Sequence, residues 1–273
     1  MSQLRREDLA PAVRWSDLLD EFDRWREAGR VATLWWRDDD AAGPSDRLDR
    51  LLSISVDLPI ALAVIPADAD SRLAAWLAHP SRTRQTTRLF VLQHGWRHQS
   101  HAVDGKKSEF PRERSRQAVA CDLAAGRMRL VTLFEARALP VLAPPWNRFD
   151  CRFLSLLVDC GLGGISSAGP RPLVCPAPGV VAANVHVDLV AWTGDRGFIG
   201  EEAALRGLIG HLHARRSGEV DAEEPTGILT HHLVQDKATD TFLRKLAAST
   251  GVHRAARWLD ATEVFAKGVY SLP

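Results

Sequence analysis

Cysteine, tyrosine and methionine are scarce: the 273 residues hold four Cys, one Tyr and two Met. Cys121, Cys151, Cys160 and Cys175 form no C-x-x-C pair and are too few to staple a chain of this length, which excludes a disulfide scaffold and a redox dithiol. They read as buried, reduced thiols. No window approaches the roughly 18 consecutive apolar residues of a membrane span, and the charged start MSQLRREDLA lacks the apolar stretch of a secretory signal. These absences predict a cytoplasmic chain without a membrane partner. Charge of one sign is lacking too: 35 Lys+Arg against 34 Asp+Glu leave a net +1, whereas nucleic-acid binders carry a basic footprint for phosphate, so no nucleic-acid partner is expected. There is no G-x-G-x-x-G turn and no G-x-x-x-x-G-K-[ST] loop, which argues against dinucleotide and nucleotide sites, and no G-x-S-x-G elbow for a serine nucleophile.

What the chain does have is ten His, nine Trp and a regular alternation of elements. Leu18, Leu19, Phe22 and Trp25 recur at helical spacing, predicting an N-terminal helix at about 16–28 that stops at Gly29. Short apolar, β-branched runs predict strands at 31–36, 60–65, 88–92, 140–143, 180–189, 227–230 and 257–259, with a short one at GGIS. Helical patterns separate them at 45–55, around Leu73 to Leu77, 115–137 with a break at Gly126, 150–159, 201–216, 237–249 and near Glu263. Residues 93–114 are polar and lack periodicity, so they read as a long loop, with Lys106, Lys107 and Glu109 as a solvated lid or as contacts to an anionic substrate group. Strands alternating with helices, without a linker or composition shift, predict one α/β domain built on a parallel sheet over 1–273.

The chemically capable residues lie just beyond the ends of different predicted strands. Asp38, Asp39 and Asp40 follow the first; His94, His98 and His101 follow the third; Pro144, Pro145, Trp146, Asn147 and Arg148 follow the fourth; Asp188 is near the end of another; His231 and His232 close the G-I-L-T strand. In a (β/α) barrel those ends open on one face, where active sites form. Three adjacent carboxylates repel one another unless a cation compensates. Two imidazoles four residues apart can reach one point, His101 offers a third, and a carboxylate from the Asp triplet completes a set suited to a divalent metal. Because neighbouring strand residues face opposite sides, only one of His231 and His232 can reach the barrel mouth, and His231 is favoured. His186 suits either the site or the core, while His79, His211, His213 and His253 read as surface residues. Trp96, Trp146 and Trp192 sit beside these motifs.

In order, an Asp pair after the first strand, H-x-x-x-H, a Pro-aromatic segment, a later Asp and Leu-x-His resemble the polysaccharide deacetylase family, carbohydrate esterase family 4, with its NodB homology domain. The likeness spans Trp35 to His231. It implies a single-domain, irregular, TIM-like (β/α) barrel of about seven parallel strands. It further implies a metal-dependent hydrolase of a non-peptide carbon-nitrogen bond in carbohydrate metabolism, N-deacetylating an amino-sugar or polysaccharide-derived substrate through a metal-bound water. The metal would be divalent, zinc first and cobalt, nickel or manganese as alternatives, held by Asp40, His94 and His98. Asp39 would be the general base, although a one-residue shift would make Asp38 the base and Asp39 the ligand. The Trp146 N–H would hold the oxyanion, and His231, oriented by Asp188, would be the general acid.

The sequence departs from the family pattern at three positions. Ala143 stands where the family has an Arg that pairs with the base, leaving Arg37 or Arg148 to replace it; Ala41 stands for a Gly and Trp146 for a Tyr. His101 and His232 remain further candidate ligands or acids, and the resemblance implies that Trp96, Trp146 and Trp192 could stack on a sugar face. The alternatives are a hydrolase of a non-sugar amide or cyclic ureide on the same fold, and an inactive barrel that binds a glycan or metabolite. The expected partner is a small molecule or oligosaccharide, with a homo-oligomer possible.

Overall fold

The computed structural model describes residues 12–54 and 58–266. Its strands are β1 (Ala32–Ala41), β2 (Ile60–Val64), β3 (Leu89–Gln93), β4 (Ala138–Leu142), β5 (Gly164–Ile165), β6 (Val181–Ala182), β7 (Val187–Asp188), β8 (Thr226–Thr230) and β9 (Ala256–Trp258). The helices are α1 (Trp15–Glu27), α2 (Asp46–Ile54), α3 (Ser71–Ala78), α4 (Thr83–Thr86), α5 (Arg116–Phe134), α6 (Leu156–Asp159), α7 (Glu201–Ser217), α8 (Lys237–Gly251) and α9 (Ala261–Val264). All strand pairs are parallel, in the order β6-β5-β4-β3-β2-β1-β8-β7, with β9 beside β1. The sheet curls into a half-barrel. On the side of β6 and β7, backbone bonds run from Val185 N–H to Ser167 O at 3.0 Å, from Gly169 N–H to Val185 O at 2.8 Å and from His186 N–H to Gly227 O at 2.7 Å.

The nine strands among the described residues are the eight that the pattern predicts, counting the short one at GGIS, with the strand expected at 180–189 interrupted at 183–186 so that it forms β6 and β7. α5 runs unbroken through Gly126, where glycine is needed because a Cβ would collide with the Gln93 amide that donates to Leu123 O. The helix expected at 150–159 is a 3-10 turn at Cys151–Phe153 followed by the short α6. The four cysteines are free, as expected, but Cys121, Cys151 and Cys175 are exposed rather than buried.

Alternation along β1 sorts the molecule into layers. Leu34 and Trp36 pack outward among the helices with Leu18, Phe22, Leu62 and Leu208, whereas Trp35 points into the barrel with Ala61, Ala63, Leu92, Val141 and Leu229. Arg37 and Asp39 share the inward face of Trp35 because strand side chains repeat every two residues. The first strand was expected to end at Trp36 but continues through the whole Asp triplet. A β-bulge ends it: on β2, Leu62 pairs with Asp38 and Val64 with Ala41, so β1 carries one extra residue over that span. Asp40 sits at the bulge with φ +70°.

Candidate active site

Arg37 is buried inside the barrel, and each of its five N–H groups has an acceptor. Nε and Nη2 grip Asp39 through Oδ1 and Oδ2 at 2.8 and 2.9 Å, Nη1 reaches Ser166 O and Oγ at 2.8 and 2.7 Å, and Nη2 also reaches Asn147 Oδ1 at 2.5 Å. The partner of Asp39 is therefore Arg37. Arg148, the other candidate, donates instead to Lys107 O at 2.8 Å.

Asp38 faces the opposite side of β1. It accepts from Thr230 Oγ1 at 2.6 Å, from the His232 N–H at 3.0 Å and pairs with His232 Nδ1 at 2.6 Å. This knot lies behind the strand, so Asp38 and His232 do not line the cavity, and the register with Asp39 and Asp40 inside is the one present. Burial opposes a charge on His232, but the Asp38 carboxylate outweighs it and raises the imidazole pKa.

Strict alternation would send Asp40 out with Asp38. The bulge turns it inward instead, where Oδ1 lies 3.1 Å from His94 Nε2 and 3.3 Å from His98 Nε2. The three donor atoms are mutually within 4.8 Å. His94 follows β3 and its Nδ1 lies 2.9 Å from Ala143 O; a carbonyl can only accept, so Nδ1 carries a proton, and in the neutral ring Nε2, on the Asp40 side, is the nitrogen with a lone pair for a cation. Gly95, at φ +64°, and His98, at φ +54°, form the turn that brings the second imidazole back. This two-His, one-carboxylate set, with its free lone pair and open cavity side, fits a divalent cation. Burial lowers the His98 pKa and nearby His94 adds to the effect, whereas Asp39 and Asp40 overcome burial to raise that of His94.

Glu109, expected in a solvated lid or against an anionic substrate group, is buried beneath this turn, accepting from Trp96 N–H at 3.2 Å and Arg97 N–H at 2.7 Å. Burial raises its pKa against those two donors. His101 does not join the cluster; after His98 the chain turns away, and the His101 N–H bonds to Ser108 O at 2.8 Å on the exposed side of the loop.

His231, on the inward side after β8, faces the cavity. Its Nδ1 is 3.8 Å from Asp188 Oδ1, too long for the expected orienting hydrogen bond. Asp188 is instead held by the Val190 N–H at 3.0 Å and Trp192 Nε1 at 2.6 Å; burial raises its pKa, with His231 acting against that. Trp192, expected to stack on a sugar, thus positions Asp188 and stands edge-on to His231 at 4.7 Å between centroids. Trp146 packs on His98 at 4.4 Å. Asp39, Asp40, His94, His98, Trp146, Asp188 and His231 line one cavity of about 720 Å³ with Lys107, Arg148 and Arg196.

A second group, His186, His211 and Glu224, lies outside this cavity. The Gly227 N–H donates to His186 Nδ1 at 2.9 Å, so in the neutral ring Nε2 bears the proton, 3.4 Å from Glu224 Oε2. A metal would need that lone pair. The set reads as a buried polar clamp, and His211, expected at the surface, is part of the core.

The sequence reading missed Ser166 and Asn147 as partners of Arg37, and Arg196 on the cavity wall. Ser166 follows β5 directly, so its place at a strand end was the available signal.

No protein-family model and no curated protein matches the chain, but solved structures do. A Mycobacterium smegmatis protein described provisionally as a polysaccharide deacetylase aligns with TM-score 0.62 at 16% identity, over 95% of this chain and 93% of that one. A family 4 acetyl xylan esterase from Clostridium thermocellum, in complex with a cobalt ion, aligns with TM-score 0.53 at 14% identity, over 86% and 90%. A peptidoglycan N-acetylglucosamine deacetylase aligns with TM-score 0.52 at 13% identity, over 89% and 96%. The chain thus has the NodB-like (β/α) barrel fold of the carbohydrate esterase family 4 polysaccharide deacetylases, at the low identity of a divergent sequence.

Proposed function

We propose that this chain hydrolyses a carbon-nitrogen amide bond, removing the acetyl group of an amino-sugar or polysaccharide-derived substrate. The observation that carries the reading is one arrangement: the Arg37-held Asp39 carboxylate stands beside Asp40, His94 and His98 at the mouth of a barrel of deacetylase fold. A divalent ion in that set, zinc first and cobalt, nickel or manganese after it, would supply a water of lowered pKa and polarise the acyl carbonyl.

Asp39 is the general base. Arg37 fixes both of its oxygens, which leaves their remaining lone pairs to take the proton of the attacking water. As the carbonyl oxygen becomes negative, the Trp146 N–H donates to it; a donor of this kind contributes about 3 kcal/mol in other acyl-transfer enzymes. His231 then gives its proton to the departing amine, with the negative charge of Asp188 3.8 Å behind it. Acetate and a free amine result.

Acetate release from N-acetylglucosamine oligomers tests the reading. Asp39→Asn should lower kcat by about 100-fold or more with metal content unchanged. Metal-loaded wild type that releases acetate from no N-acetylated amine would overturn it.

A further inference from the structure

The charges on the cavity wall are unevenly partnered. Its carboxylates are all engaged: Asp39 by Arg37, Asp40 by two imidazoles, and Asp188 by Trp192 and the Val190 N–H. Its cations are not. Lys107, Arg148 and Arg196 have no carboxylate partner among the described residues, although the chain pairs many other arginines on its surface. Asp195, next to Arg196, accepts from the Gly197 N–H through Oδ1 instead.

The segments that carry two of the three cations are also tied to each other. The Arg148 guanidinium reaches across to Lys107 O at 2.8 Å, its one side-chain hydrogen bond among the described residues, and so draws the 101–109 loop toward the Trp146 segment. Its Nε and Nη2 are left for a ligand. Arg196 stands on the other side, in the segment that carries Trp192, with φ +60°, a conformation costly for an arginine unless its position is needed. Like charges lining one cavity repel unless an anion offsets them.

We propose that the substrate carries an anionic group, a carboxylate or a phosphate, close to its acyl amide, and that Lys107 and Arg148 receive it with Arg196 facing them. This rests on the hydrolase reading above, in that it names the class of substrate for the same cavity. The apolar part of such a substrate lies against Trp146 and Leu233.

The test is a binding measurement, so that it stands whether or not turnover is found. Calorimetry on metal-loaded Asp39→Asn compares an N-acetylated amino sugar bearing a carboxylate with its methyl ester, and a phosphorylated N-acetylated sugar with its unphosphorylated parent. The anionic member of at least one pair should bind about fivefold tighter for each cation engaged, and 0.5 M salt should shrink the gap. Lys107→Gln and Arg148→Lys should each reduce it while leaving the neutral member's affinity unchanged, and Lys107→Glu should reverse the preference. The pair that shows the effect identifies the anion. Equal affinities within both pairs, or variants that weaken neutral and anionic members alike, would overturn the proposal; absence of acetate release with the preference intact would overturn only the hydrolase reading.

Discussion

Arg37 and Ala143 hold different parts of the site, Arg37 the Asp39 carboxylate and Ala143 the His94 imidazole. Ala143 follows β4 on the inward side of the barrel, and its carbonyl positions His94. The cation beside Asp39 comes from β1, where Arg37 lies two residues before Asp39 on the same face and so meets it without any change of backbone. Removing the guanidinium would leave a buried carboxylate without a counter-charge, which typically costs about 3–5 kcal/mol. Arg37→Met should therefore lower the unfolding free energy in urea by that order and abolish acetate release. Combining it with Ala143→Arg, which restores a cation from β4, should recover at least half of the lost stability. A double variant no more stable than Arg37→Met would show that the two positions do not share one space.

At the level of elements, the turn after β3 and the helix α7 each hold a polar group where the sequence pattern suggested solvent. Gly95 packs so closely on Glu109 and Pro145 that a Cβ would collide with both, and its φ of +64° already disfavours one. Gly95→Ala should leave the fold intact by circular dichroism yet weaken metal binding at least tenfold in a chelator competition, because the turn carries both His94 and His98. On α7, His211 stacks on His186 with centroids 3.4 Å apart. Burial, then the neighbouring charges of His186 and Arg215, pulls its pKa from 6.5 down to about 2. Between those values the unfolded chain binds a proton that the folded one refuses, so stability rises with pH across that window and is lost on acidification below about pH 6.5. His211→Asn should flatten the dependence of unfolding free energy on pH between 6.5 and 4.5; an unchanged slope would count against this origin. The sequence made the strand-helix alternation and the inward face of His231 legible because both follow from side-chain periodicity. It did not show that β1 runs on through Asp38, Asp39 and Asp40, since carboxylates disfavour strands locally and only the tertiary partners Thr230, His232 and Arg37 compensate. Nor did it show His211 as core, because a helix position reveals its burial only through the sheet packed against it.

Across the whole molecule, strained backbone gathers at one end of the barrel. Of the six non-glycine residues with positive φ among those described, Asp40, His98, Trp146, Asn147 and Arg196 line the cavity and only Glu135 lies elsewhere. Such conformations cost about 1–3 kcal/mol each and persist where the surroundings over-determine them, a pattern typical of ligand clamps. Here the barrel supplies that support through Arg37, Ala143 O and Glu109, so the three donors of the Asp40 cluster are held near one another before any ion arrives. A ligand that binds only the folded state adds about 2.7 kcal/mol at 100 times its dissociation constant. For a chain of this size each kcal/mol moves the midpoint by about 2–4 °C, so saturating zinc should raise Tm by about 5–10 °C. The His94→Ala, His98→Ala double variant keeps Asp40 but loses both imidazoles, and its Tm should not respond. Elemental analysis of the same two samples gives the stoichiometry: about one ion per wild-type chain, and less than a tenth in the variant. A zinc-induced shift of equal size in both proteins would place the ion elsewhere and remove the metal from this end of the barrel.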